Sequence, residues 1–152
     1  MSRKPPKAAS RKVHGQPNIA VIAARFNQEI VDELLRRCVD RLRELGVKSA
    51  KITIHRVPGA FELPVAAKLA SETGKFAAII CLGAVIRGDT PHFDFVAGES
   101  ARGIQQVAIE TRIPIIFGVL TTDTEKQARQ RLDAGRRAAD AALEMAELAR
   151  EL

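Results

Sequence analysis

Residues 77–95 read AAIICLGAVIRGDTPHFDF and combine an apolar run, a polar loop and the start of a helical pattern. The run at 77–82 is short and continuously apolar, which predicts a strand buried inside a sheet. Gly83, Gly88 and Pro91 are typical of the loop that follows such a strand. This stretch therefore predicts one strand–loop–helix unit, the building block of an α/β fold.

The loop after this strand carries the groups that a small phosphorylated substrate requires. Arg87 supplies a cation, Thr90 a hydroxyl and His92 an imidazole, while Gly88 leaves the backbone accessible. An imidazole has a pKa near neutrality and can both give and take a proton. We therefore interpret the loop as a reaction centre, with a structural role as the alternative for its single histidine.

The alternation of strand and helix occurs four times along the chain. The predicted strands are residues 19–24, 51–57, 77–82 and 113–120, and the predicted helices are residues 28–45, 61–73, 95–111 and 124–149, the last bent or broken near Gly135. Parallel neighbours need a crossover, so the alternation indicates βαβ units. The predicted fold is an α/β three-layer sandwich with a four-stranded, mainly parallel sheet, of the flavodoxin-like type.

Right-handed crossovers place every strand-to-helix loop at the carboxyl edge of such a sheet. The four loops are ARFN (24–27), PGAFE (58–62), AVIRGDTPH (84–92) and TTDT (121–124). Ligands of open α/β sheets bind outside this edge. We therefore expect the functional residues to lie in these loops or beside them.

The formal charge of +6 is concentrated at the amino terminus. Residues 1–18 hold five basic residues and no acid, which leaves 19 basic and 18 acidic residues in the remainder. The segment is rich in Pro and Lys and lacks apolar periodicity, so we expect a disordered basic tail at 1–17 and a single domain at 18–152. A solubilising extension is the simpler interpretation of the tail, and contact with nucleic acid or an anionic surface is the alternative.

The sequence predicts a cytoplasmic protein. No apolar run is long enough for a secretory signal or a membrane span. Cys38 and Cys81 lie far apart in apolar or helical runs. We interpret them as reduced core residues and expect neither a disulfide nor a metal site.

The phenylalanines suggest that a flat ring is bound, in a chain without Trp or Tyr. Phe26, Phe61, Phe93 and Phe95 lie in or beside the loops, and Phe117 lies in the fourth strand. We expect Phe26 and Phe117 to stack on a planar ligand, whereas packing explains the other three equally well.

Charged side chains beside the loops leave two interpretations open. Glu62 fits an acceptor for sugar hydroxyls, and equally a first-turn glutamate favoured by the helix dipole. Arg87, Arg131, Arg136 and Arg137 are candidate anion ligands. Arg131 lies among charges typical of a solvated helix face, so a structural role is its alternative.

Several common catalytic motifs are absent from the sequence, namely GxGxxG, GxxxxGK[ST], GxSxG, CxxC and HExxH. Their absence argues against hydride transfer, nucleotide hydrolysis, serine hydrolysis and zinc chemistry. The segment AARFN after the first strand also lacks the acidic pair of a phosphate-accepting receiver domain.

Four motifs follow one another at the loops: ARFN (24–27), VPGAFELP (57–64), LGAVIRGDTPHFD (82–94) and FGVLTTDTEKQARQR (117–131). In this order and at these spacings they resemble the lumazine synthase family of riboflavin biosynthesis, strongly over residues 18–131. The resemblance implies condensation of 5-amino-6-(D-ribitylamino)uracil with 3,4-dihydroxy-2-butanone 4-phosphate to 6,7-dimethyl-8-ribityllumazine, with no metal or organic cofactor. It also implies a homo-oligomer, either a pentamer or an assembly of pentamers.

The resemblance implies a pocket for the ring and ribityl chain of the first substrate. Its residues would be Phe26, Asn27, Ala60, Phe61, Glu62, Ala84, Val85 and Ile86. In this pocket Phe26 would stack on the pyrimidine ring, and Glu62 would contact the ribityl chain.

The resemblance also implies a phosphate site and a proton donor. Asp89 and Thr90 would bind the phosphate of the butanone, and His92 would give and take the protons. Phe117 and Arg131 would come from a neighbouring subunit, with Arg131 at the phosphate.

The chain departs from the family after Arg131, where LDAGRRAADAALEM (132–145) replaces a longer Gly-rich segment that contains Lys. Arg136 and Arg137 are the candidates for the contact of that lysine. A flavin-binding module of the flavodoxin type, which would copurify yellow, remains an alternative. So does an idle shell or scaffold homologue, although such a protein would lack His92 or Arg131, and both are present.

Overall fold

The computed structural model describes residues 4–8, 13 and 15–152. The strands are β1 (Ile19–Ala24), β2 (Ile52–Val57), β3 (Ala78–Ile86) and β4 (Ile115–Thr122), and the helices are α1 (Gln28–Glu44), α2 (Leu63–Glu72), α3 (His92–Thr111), α4 (Glu125–Arg129) and α5 (Ala134–Glu151). Short 3₁₀ turns at Ser49–Lys51 and Ala60–Glu62 precede β2 and α2. The predicted tail at 1–17 lies partly outside the described residues.

All four strands are parallel and lie in the order β2-β1-β3-β4. This is the order of the flavodoxin-like doubly wound fold, so the predicted fold class is confirmed. The helices α1 and α5 cover one face of the sheet, and α2 and α3 cover the other. Successive β1 side chains alternate between the two layers, because Val21 packs towards α1 while Ile22 packs towards α2.

The third strand is longer than the sequence pattern predicts. Residues 83–86 continue β3 because they pair in register with Val119–Thr122 of β4. The loop that follows is therefore residues 87–91, not the predicted 84–92. The helix α3 begins at His92, three residues before the predicted start, directly after Pro91 with its fixed φ.

The last predicted helix is two helices, and the break lies at residues 130–133, before Gly135. Thr124 and Gln127 form a capping box that starts the short helix α4. The helix is therefore broken near Gly135, as predicted, although Gly135 itself belongs to the helix that follows the break. This residue is buried in the first turn of α5, where an added Cβ would lie 2.2 Å from the carbonyl oxygen of Leu34 on α1. The glycine therefore allows two helices to pack closely.

Both cysteines are buried and free, as predicted for core residues. Burial raises the pKa of the Cys38 and Cys81 thiols to about 12, so both stay protonated at neutral pH. Among the described residues, no helix has the length and apolar character needed to cross a membrane.

Candidate active site

The loop after β1 is tied to the two neighbouring strand ends. Asn27 adopts a left-handed backbone conformation, with φ of 54°, and caps the start of α1. Its side-chain Nδ2 donates to the carbonyl oxygen of Ala84 at 2.8 Å, which links β1 to β3. The Phe26 N–H donates to the Pro58 oxygen at 3.1 Å, which fixes the loop against the β2 end. The ring of Phe26 is 72% exposed on this fixed backbone.

The loop after β2 supports the ring of Phe26. A Cβ at Gly59 would lie 3.1 Å from Cδ2 of Phe26, so the bare Cα of glycine lets the ring approach the backbone. Gly59 also accepts from the Glu62 N–H at 3.2 Å, which starts the 3₁₀ turn. This turn places the half-buried Glu62 carboxylate beside the aromatic ring.

The loop after β3 presents an imidazole. Residues 87–91 are all exposed, and His92 follows as the first residue of α3, exposed as well. Because α3 starts at His92, Phe95 and Val96 lie three and four residues later, on the same helix face. The imidazole therefore shares one surface with two apolar side chains.

These three loops enclose a first cavity of about 560 Å³. It is lined by Phe26, Asn27, Gly59, Ala60, Phe61, Glu62, Ala84, Val85, Ile86, His92, Phe95 and Val96. The volume suits a small-molecule ligand. An exposed aromatic ring, a carboxylate and an imidazole are the groups needed to stack a planar molecule, accept its hydroxyl bonds and transfer its protons.

Phe117 and Arg131 lie in a second cavity, of about 610 Å³, on the other side of α3. Phe117 is 42% exposed on β4, and Nη1 of Arg131 donates to the backbone oxygen of Gln127 at 2.9 Å. Arg87 and Asp123 line the same cavity. Within one chain the predicted site residues are therefore divided between two separate cavities.

Four predicted residues lie outside both cavities, as far as the described residues show. Asp89 and Thr90 are exposed in the loop before α3. Arg136 pairs with Glu44 on α1 at 3.0 Å, which directs its guanidinium away from the loops. Arg137 is exposed on α5. Neither arginine therefore stands where a substrate in the first cavity would meet it within one chain.

Three lining residues were not predicted as site residues, namely Gly59, Phe95 and Val96. Gly59 could have been predicted from its place in the turn PGAFE, and Phe95 from its place as an aromatic residue beside a strand-to-helix loop. Val96 could not, because its placement depends on α3 starting at His92.

A cavity of similar size, about 550 Å³, lies at the opposite edge of the sheet. Its lining includes Arg41, which pairs with Asp140 at 2.7 Å, and Arg150, which pairs with Glu147 at 2.8 Å. These four charged groups are engaged in ion pairs between or within helices, and the lining also includes Arg112 and Glu144. Size alone does not distinguish the cavities, so the chemistry of the lining places the candidate site at the carboxyl edge.

One family model matches residues 16–150, and its description is 6,7-dimethyl-8-ribityllumazine synthase. The match spans all four strand-to-helix loops and the residues that line the first and second cavities.

Proposed function

Because the chain belongs to the 6,7-dimethyl-8-ribityllumazine synthase family, a family of transferases in riboflavin biosynthesis, we propose a specific condensation for it. The substrates are 5-amino-6-(D-ribitylamino)uracil and 3,4-dihydroxy-2-butanone 4-phosphate. The products are 6,7-dimethyl-8-ribityllumazine, one phosphate and two molecules of water. The first cavity carries this proposal, because an aromatic ring, a carboxylate and an imidazole line one pocket of small-molecule size.

The first cavity suits the uracil substrate. Phe26 offers its exposed ring to the pyrimidine, and Gly59 lets this ring approach the backbone of the loop after β2. Glu62 accepts hydrogen bonds from ribityl hydroxyls. Ala84, Val85 and Ile86 are the last residues of β3 and line the cavity, where their backbone groups meet the polar edge of the ring.

His92 is the proposed proton donor and acceptor. Amine attack on the ketone, elimination of phosphate and ring closure each move a proton, and an imidazole serves every step near neutral pH. Asp89 and Thr90 precede His92 in the exposed loop, where they meet the phosphate of the second substrate. Holding both substrates together removes much of the entropic barrier to their reaction.

The separate position of Phe117 and Arg131 supports a site shared between the subunits of a homo-oligomer, for which the family resemblance implies a pentamer. Both residues line the second cavity, on the opposite side of α3 from His92. In a closed ring of copies, the second cavity of one subunit faces the first cavity of the next. Each complete site then takes His92 from one chain and Phe117 and Arg131 from its neighbour. The two buried, free cysteines fit a reducing cytoplasm as the location of this assembly.

The proposed reaction is tested by mixing the purified protein with both substrates. We expect the absorbance of the lumazine product to appear together with one released phosphate per turnover. Matched mixtures that lack the protein or either substrate set the background rate. Product formation no faster than the background would overturn the proposed condensation.

Two inactive variants should restore each other's activity if the site is shared. His92→Ala and Arg131→Ala proteins are unfolded together in equal amounts and reassembled. Random mixing places both intact halves at about a quarter of the sites, so activity should approach about a quarter of wild type.

Each variant unfolded and reassembled alone is the control for this experiment, and native mass spectrometry confirms that the oligomers contain both chains. A mixed oligomer no more active than the mean of the two variants would contradict the shared site. Phe117 and Arg131 would then be structural residues of the second cavity.

A further inference from the structure

The loop that carries the proposed phosphate and proton groups has few bonds of its own. Residues 87–91 are exposed along their whole length. Within this segment and the first turn of α3, the His92 N–H donates to Thr90 Oγ1 at 3.4 Å, and the Asp94 N–H donates to the Pro91 oxygen at 3.0 Å. Both bonds are local, so neither fixes the loop relative to the rest of the fold.

Arg87 supplies the tertiary contacts of this loop. Its Nε donates to Oδ1 of Asp123 in the loop after β4 at 2.8 Å. Its Nη1 lies 3.4 Å from Oδ1 of Asp94, in the first turn of α3, and its guanidinium carbon lies 4.3 Å from the ring centroid of Phe93. One guanidinium thus joins two strand-to-helix loops and the start of a helix.

Asp123, the hydrogen-bond partner of Arg87, is fixed by contacts of its own. The Asp123 N–H donates to Oε1 of Gln127 at 2.8 Å, and Gln127 belongs to the capping box that starts α4. The backbone N–H of Arg87 also donates to the Thr122 oxygen at 2.9 Å, which extends the β3–β4 pairing. Asp123 is therefore held in place by α4 and does not depend on the β3–α3 loop for its position.

The charge of Arg87 is already neutralised by its neighbours. Two carboxylates, of Asp94 and Asp123, face one guanidinium, and the hydrogen bond to Asp123 raises the pKa of Arg87 above its ordinary value. A cation with two acidic partners is poorly suited to attract a substrate phosphate. The structure therefore disfavours Arg87 as an anion ligand and favours a different role.

We propose that Arg87 is a positioning residue, which clamps the first turn of α3 to the loop after β4 and so holds His92 at the mouth of the first cavity. The contacts of Arg87 support the clamp itself, and only its effect on catalysis rests on the proposed function. The contacts with Phe93 and Asp94 lie one and two residues from His92. A displacement of about 1 Å at a reacting group costs up to about 10²-fold in rate.

Three variants test the clamp by steady-state kinetics. Arg87→Ala should lower kcat by about 10- to 10²-fold and leave KM for the uracil substrate unchanged, because the lining contributed by β1 and β2 is intact. Arg87→Lys should recover part of kcat, since an ammonium can pair with one carboxylate but lacks the planar fork that reaches both. Asp123→Asn should also lower kcat, as Arg87→Ala does.

The matched control is Arg102→Ala, which removes an exposed arginine from α3, the helix whose first turn Arg87 contacts. Arg102 pairs with Glu99 of its own helix at 2.7 Å and, in the described part of the chain, lines neither the first nor the second cavity. Its kinetics should equal those of wild type. If Arg87→Ala raises KM for the butanone phosphate alone while Asp123→Asn behaves as wild type, Arg87 is a direct anion ligand and the clamp is wrong.

Amide hydrogen exchange of the free protein tests the clamp without any substrate. Arg87→Ala and Asp123→Asn should speed exchange of the peptide covering residues 88–96, and Arg102→Ala should not. Unchanged exchange in both clamp variants would overturn the proposal. If wild type forms no lumazine, the proposed reaction fails, while accelerated exchange in these variants would still establish the clamp.

Discussion

Replacing His92 with alanine is expected to lower kcat by about 10²- to 10⁴-fold, the range for loss of an acid–base group. His92 is exposed at the start of α3 and lines the first cavity beside Phe95 and Val96. The variant should fold as wild type does, because the imidazole is not part of the core. Residual activity should remain, since Phe26 and the rest of the lining still position both substrates. Steady-state rates at neutral pH measure the effect.

The matched control for this substitution is His55→Ala, which removes an exposed imidazole from β2. His55 lines neither the first nor the second cavity. Its variant should keep wild-type kcat and KM. Full activity of the His92→Ala protein, with both variants folded by circular dichroism, would remove His92 from the mechanism.

Gly135→Ala is expected to destabilise the fold by about 3 kcal/mol, the upper part of the range for overpacking. The new Cβ would lie 2.2 Å from the carbonyl oxygen and 2.9 Å from the carbonyl carbon of Leu34. Both are backbone atoms inside α1, so neither can rotate away as a side chain would. The helices α1 and α5 would have to separate, which would loosen the contacts of the buried Ala138 and Ala139. For a chain of this size we expect Tm to fall by about 10 °C.

The same substitution at Gly98 is the control, because Gly98 lies inside α3 and, beyond the adjacent backbone of its own helix, no described atom lies within 4 Å of an added Cβ. Alanine there should stabilise the helix by about 0.5–1 kcal/mol through its better helix propensity. Urea and thermal unfolding of both variants therefore give changes of opposite sign. Equal stability of Gly135→Ala and wild type would mean that α1 and α5 are not packed as closely as described.

Most of the fold could be predicted because its signals are local. The apolar run at Ile19–Ala24 matches β1 at both ends, and the helical stripe at 28–45 matches α1 to within one residue. A strand buried on both faces must be apolar throughout, and a helix on a sheet must be apolar on one side. Both requirements concern residues that are close in sequence, so the order of strands and helices can be predicted from local patterns. The family match agrees with this order.

The element ends could be predicted less well, because pairing and packing set them. Residues 83–86 contain a glycine and precede a loop, yet they belong to β3 because β4 offers partners as far as Thr122. The predicted break near Gly135 lies at 130–133, but Gly135 itself is in the first turn of α5, where its missing side chain allows close contact with Leu34. No local pattern distinguishes a glycine that ends a helix from one that lets another helix approach.

The candidate site divides in the same way. The sequence by itself determined that the strand-to-helix loops share one edge and that Phe26, Glu62 and His92 are there, because parallel strands with right-handed crossovers allow only that arrangement. Only the tertiary structure separated these residues from Phe117 and Arg131, and only it paired Arg87 with Asp123 across 36 positions. The reason is physical: sequence periodicity records which face of an element is buried, whereas cavities and ion pairs depend on distances between elements that are fixed when the layers pack.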